Sequence, residues 1–137
     1  MAFDPYLHFQ GNCAAAMTAY ATLFGATDLA MMRYADAPDG TPEMAGSPLV
    51  MHASFTVQGR VLMASDYPPG MAGTPQASVT LSHTVPDWAG GKHLFDALAE
   101  DGVILMPYGK TFWAAGFGMV TDRFGTTWMV TTPGPDA

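Results

Sequence analysis

The chain holds one cysteine, Cys13, among 137 residues. A lone thiol excludes an internal disulfide and fits a reducing compartment, and a chain this long can bury a core without staples. Basic residues are also scarce, with five Lys and Arg against twelve Asp and Glu and a formal net charge of −7. The five, Arg33, Arg60, Lys92, Lys110 and Arg123, are scattered along the chain. Nucleic-acid binding needs cations grouped to displace phosphate counterions, so DNA and RNA are not expected partners. An anionic membrane surface is disfavoured for the same reason. No apolar run approaches the roughly 20 residues of a membrane helix. Met1-Ala2-Phe3-Asp4 shows no basic segment before an apolar one, as a secretory signal would. The expected location is the cytoplasm. Phosphate loops, cysteine pairs and Ser/His/Asp nucleophile patterns are missing as well.

Apolar residues make up 49% of the chain, and eleven of them are Met. Thioethers fill irregular core gaps and also line adaptable apolar pockets. The length fits one domain, 1–137, and the order of elements repeats within it. Residues 4–10 read as a strand, Asn12 as an N-cap, 13–24 as a helix through Met17, Tyr20, Leu23 and Phe24, and Gly25 as its C′ stop. Strands at 28–36, 49–57 and 60–66 follow, separated by a Pro/Gly-rich loop at 37–48. A second loop, 67–75, ends the first module, about 4–66. The second module, about 77–132, repeats the series: a strand at 77–85, then a helix from Pro86-Asp87-Trp88 to about Glu100 with Gly102 as its stop. Strands near 103–108, 113–122 and 127–132 complete it. The Gly90-Gly91 pair is expected to weaken this helix by about 1 kcal/mol per Gly. The fold class is α+β, strand–helix–strand–strand–strand twice.

Three stretches carry a resemblance. Pro5-Tyr6-Leu7-His8-Phe9 with Gly11-Asn12-Cys13, Ala16-Met17, Tyr20 and Phe24-Gly25 is one. His52-Ala53 through Leu62-Met63-Ala64-Ser65-Asp66 is another. The third runs from Thr111-Phe112-Trp113-Ala114 through Gly116-Phe117-Gly118 and Asp122 to Trp128-Met129. As a set they resemble the PhnB-like branch of the vicinal oxygen chelate superfamily. The resemblance implies paired βαβββ modules, cupped sheets with helices outside, a ligand cavity inside and, commonly, a two-fold dimer. Many relatives hold a divalent metal and run isomerase, lyase or dioxygenase chemistry, which is the alternative reading; others only sequester small molecules. Some PhnB-like proteins bear a ubiquinone-pathway methyltransferase label, but no Gly-rich strand–helix crossover suited to a methyl-donor nucleotide is present. A third reading is a subunit whose cavity is filled by a partner's segment.

The resemblance also locates the metal ligands of relatives, and here Pro5, Ser78 and Met129 occupy three of the four positions. An open catalytic site needs about three His or carboxylate ligands, so neither metal nor cofactor is expected. Small-molecule binding without established catalysis, in a homodimer, is the leading expectation.

Candidate ligand contacts are Trp113, Phe117 and Trp128, whose rings offer large apolar area, with Met129 beside them and Tyr6, Ser54 and Lys110 as polar additions. Candidate catalytic residues are His52 and Asp66, on the strands flanking Gln58-Gly59. A two-residue turn there needs positive φ at Gln58, which suits Asn or Gly better. A three-residue loop, Val57-Gln58-Gly59, is therefore expected. Paired numbers then sum to 116, and His52 and Asp66 become diagonal neighbours on one face, where the carboxylate would favour a charged imidazole.

Overall fold

The computed structural model describes residues 2–134. The chain forms two compact units, Met1–Gln76 and Ala77–Ala137, each with one four-stranded sheet and one α-helix. In the first unit, β1 (Tyr6–Phe9), α1 (Cys13–Phe24), β2 (Ala30–Arg33), β3 (Val50–Val57) and β4 (Arg60–Asp66) form a sheet of order β1-β4-β3-β2. β1 runs parallel to β4, and the other pairs are antiparallel. In the second, β5 (Thr80–Thr84), α2 (Trp88–Ala99), β6 (Val103–Gly109), β7 (Gly116–Thr121) and β8 (Thr127–Thr132) repeat the pattern as β5-β8-β7-β6. The expected α+β architecture of two βαβββ units is present.

Each sheet covers one face with its helix. Leu7 and Phe9, Ala53 and Phe55, and Leu62 and Ala64 are buried together with Ala16, Met17 and Tyr20 of α1. Phe55, 1% exposed, alone contributes about 1.5–3 kcal/mol by leaving water. In the second unit Val120, Trp128 and Val130 are buried with Leu94, Phe95 and Leu98 of α2. The alternate residues of β1, β3 and β4, and of β7 and β8, form an open face away from the helix of their unit.

Several local expectations need adjusting. Residues 34–36 leave the strand for a 3₁₀ turn, where Tyr34 turns inward and is 6% exposed. β7 starts at Gly116, so Trp113 stands in the loop before it. Asn12 makes no side-chain cap hydrogen bond. The N–H groups of Gly11 and Cys13 instead donate to the Asp66 carboxylate, at 2.8 and 3.0 Å. Gly25 does end α1 in the left-handed conformation, φ 71°, with Ala26 N–H bonding Ala21 O at 2.8 Å. Asp87 caps α2 by accepting from Gly90 N–H at 2.7 Å. Gly91 has a packing reason to interrupt that helix: any Cβ there would collide with the Tyr108 and Thr132 hydroxyls, which bond each other at 2.7 Å.

The hairpin corrects the sequence reading most sharply. Ala53 pairs with Ala64 and Val57 with Arg60, so paired numbers sum to 117, not 116. Gln58 and Gly59 both take positive φ, 50° and 76°, as a two-residue type I′ turn demands. The non-glycine penalty is about 1–2 kcal/mol. A slip by one residue would turn Leu62, Ala64 and Asp66 away from α1, which costs far more. Packing therefore overrides the turn preference. Gln58→Asn is expected to raise stability by about 1 kcal/mol, read as a higher thermal midpoint with unchanged binding behaviour.

Candidate functional site

The open face of the first sheet gathers side chains from three strands. β1 contributes Tyr6 and His8, β4 contributes Met63 and Ser65 opposite them, and β3 contributes His52 and Ser54. Tyr6 reaches across β4 so that its hydroxyl lies 3.0 Å from His52 Nδ1. With Tyr6 donating, Nδ1 accepts and the ring proton resides on Nε2. The His8 ring centroid is 5.2 Å from that of Tyr6 and 5.6 Å from that of Tyr67. His52, Tyr6, His8 and Tyr67 thus form a continuous row of rings. Tyr6 is 40% exposed, and His52 and Ser54 are half-buried.

Asp66 does not belong to this row. Asp66 stands two residues beyond Ala64, which pairs with Ala53 and faces α1, so it points to the α1 side, opposite to His52. The expected His52–Asp66 pair is therefore broken. Asp66 is 2% exposed, and its carboxylate accepts from Gly11, Cys13 and Val50 N–H groups, the last at 2.9 Å. A bulge makes this possible: Met32 pairs with His52 and Arg33 with Val50, so Met51 is the extra residue. Tyr34 closes the cluster by donating to Asp66 O at 2.8 Å. Burial raises the Tyr34 phenol above its ordinary range, with Tyr6, Asp66 and Cys13 adding to it. Burial, and then the Asp66 charge, pushes the Cys13 thiol up to about 12. At neutral pH that thiol is protonated and a poor nucleophile.

The remaining candidates lie in the second unit. Phe117 and Met129 are on its open face, with Met119 pairing Met129 across the ladder. Trp113 packs edge-on against Phe117 with centroids 5.3 Å apart, and Phe112 packs edge-on against Trp113 at 4.8 Å. Lys110 is exposed after the end of β6. Trp128 turns the other way. It is 4% exposed, and its indole N–H donates to Asp122 Oδ2 at 2.8 Å. The alternation of β8 puts Met129 out and Trp128 in, so Trp128 is a core residue rather than part of an open-face site. Burial lowers the His83 pKa, and β5 alternation sets His83 on the helix side too.

Sequence reasoning missed His8 as a neighbour of Tyr6, and Tyr67 as a neighbour of His8. The period-2 spacing of Tyr6 and His8 was a usable signal, because both must share a face. The contact with His52 required knowing that β4 separates β1 from β3.

Among the described residues no three His, Cys, Asp or Glu side chains converge. On the first unit's open face His8 and His52 are the residues of those types, and Asp66 is turned to the other side, spent on backbone N–H groups. These residues do not fit a three-ligand centre.

Two four-stranded mixed sheets, each built β-α-β-β-β with its helix on one face and an open face on the other, define a glyoxalase-like protein of the vicinal oxygen chelate class. Within that class, the 3-demethylubiquinone-9 3-methyltransferase family model matches residues 1–131, and the chain belongs to this PhnB-like family. It is 36% identical to Protein YjdN of Escherichia coli, over 95% of this chain and 94% of that protein. Among solved structures, protein PA1353 of Pseudomonas aeruginosa is 41% identical with a TM-score of 0.88, covering 97% of this chain and 98% of that one. A PhnB protein from Bacillus cereus is 28% identical with a TM-score of 0.74, covering 96% and 99%. The fold alone is shared with a glyoxalase-related enzyme from Fulvimarina pelagi, at 19% identity and a TM-score of 0.61, over 96% of this chain and 88% of that one.

Proposed function

We propose that this PhnB-like protein is a cytoplasmic, homodimeric binder of a small molecule, held on the open face of the first sheet with Tyr6 and His52 as its polar anchor. The observation carrying this reading is the 3.0 Å bond from the Tyr6 hydroxyl to His52 Nδ1, on a face where Met63, Ser54 and Ser65 supply apolar contact and further hydroxyls. A donating Tyr6 sets the Nε2–H tautomer, leaving one imidazole donor for a ligand carbonyl or carboxylate oxygen. The same pair is equipped to move a proton, since the phenol and imidazole are already hydrogen-bonded. Methyl transfer has less support: the N–H groups at the turn between β1 and α1 are taken by Asp66, so they are not offered to a nucleotide.

Dimerisation is supported by β6, an edge strand whose Val103, Ile104, Leu105 and Met106 are each at least 40% exposed. Two copies in sedimentation velocity at tens of micromolar are expected; a monomer rejects this part of the proposal.

The ligand reading is tested by native mass spectrometry of protein purified without chelator, followed by titration with the co-purified compound. His52→Ala is expected to weaken binding at least tenfold and Tyr6→Phe about threefold or more, the worth of one hydrogen bond. Less than a twofold change in both, with the fold intact by circular dichroism, removes the pair from the site.

A further inference from the structure

The loop after β4 builds a second concavity, which shares the Tyr67 ring with the open face. Tyr67 is anchored by its N–H to Phe9 O at 2.8 Å, extending the β1–β4 ladder by one rung. Pro68-Pro69-Gly70-Met71 then closes a turn, with Met71 N–H bonding Pro68 O at 3.0 Å and Gly70 at φ 82°. Pro at the second position and a left-handed Gly at the third are the requirements of a type II turn. The chain comes back so closely that any Cβ at Gly73 would run into the Tyr67 ring. Two prolines and a glycine contact thus hold the loop in one shape before any ligand arrives, which lowers the ordering cost of binding.

The result is a half-open pocket of about 280 Å³, lined by Gln10, Leu49, Tyr67, Pro68, Pro69 and Met71 among others. An apolar cavity of about 150 Å³ holds benzene, and drug-sized sites begin near 300 Å³. The space therefore suits one ring or a small fused pair. Among the described residues no Lys, Arg, His, Asp or Glu lines it, so a charged ligand finds no side-chain counterion from them. Ring and thioether surfaces come from Tyr67, Pro68, Pro69 and Met71, and the Gln10 amide adds a side-chain group able both to donate and to accept, as the Tyr67 hydroxyl is.

We infer that this pocket is a separate site for a small, uncharged aromatic molecule carrying one hydrogen-bonding group. It goes beyond the open-face proposal and shares only the Tyr67 ring with it, so Gln10→Ala, which alters no residue of the open-face row, tells the two apart. The probe is indole, titrated into full-length protein with ¹³C-methyl-labelled methionines. The Met71 methyl, 59% exposed, should shift with saturation, while Met31 and Met32 on β2, 38% and 45% exposed, stay within noise. Benzoate, of similar width but anionic, should bind at least tenfold more weakly. Gly73→Ala, which must displace the Tyr67 ring, should weaken indole at least tenfold. Gln10→Ala, an exposed change with no folding cost, should weaken it about threefold and keeps the test decisive if Gly73→Ala unfolds. Linear, non-saturating shifts, equal shifts at all exposed methionines, or unchanged affinity in Gln10→Ala and in a folded Gly73→Ala each overturn the site. Equal affinity for benzoate overturns its assignment to uncharged ligands.

Discussion

Asp66→Ala is expected to destabilise the protein by about 3–5 kcal/mol, the cost of leaving several buried N–H donors without an acceptor. The carboxylate is 2% exposed and accepts from Gly11, Cys13 and Val50, which lie on the β1–α1 turn, the helix start and the head of β3. Removing it unties three elements at once. Against a typical total of about 5–15 kcal/mol, the loss moves the protein close to unfolding at room temperature. Asp66→Asn keeps the volume and one acceptor but sets an amide NH₂ against a backbone donor, so about 2–3 kcal/mol is expected. Urea midpoints of the two variants measure this. Asp66→Asn protein kept folded at low temperature should bind the open-face ligand within twofold of wild type. A larger loss of binding in folded protein would return Asp66 to the site and contradict the purely structural role its geometry describes.

Asp122 carries the second large effect. It is 6% exposed, and its Oδ1 accepts from Phe124 and Thr126 N–H at 2.9 and 3.1 Å while Oδ2 accepts from the Trp128 indole at 2.8 Å. One carboxylate therefore shapes the β7–β8 turn and pins the largest core ring of its unit. Asp122→Ala should cost about 3–4 kcal/mol, because two backbone donors and a buried indole N–H lose their acceptor together. Asp122→Asn should recover part of that cost by retaining one acceptor. Denaturant curves followed by fluorescence give a second readout, since a freed Trp128 emits further to the red. A change below 1 kcal/mol in Asp122→Ala would mean that water replaces the carboxylate. Trp128→Phe should likewise lower stability, because the ring is a core residue, 4% exposed.

How far the site was legible depends on the range of each interaction. Tyr6 and His8 share a face by the period of a strand, and Phe117 and Met129 fall on the open face by the same rule. Asp66 as a helix cap was not legible, because donors and acceptor are more than fifty residues apart. The bulge at Met51 leaves no sign in the residue pattern either, since it arises where β3 must serve both β2 and the Asp66 carboxylate.

Elements whose cause is local were determined by the sequence itself. Gly25 ends α1, Asp87 starts α2, and apolar alternation sets Leu7 with Phe9 and Trp128 with Val130. The helix and strand order, present twice, follows from those signals, and the family from the resemblance of the three quoted stretches. Only tertiary structure decided the β3–β4 register. Gln58 disfavours its own turn by about 1–2 kcal/mol, yet Phe55, Leu62 and Ala64 gain more by facing α1 together. That choice of register sends Asp66 inward and leaves His52 to Tyr6, because a turn preference is a small local term and burying one face of a sheet is a large collective one.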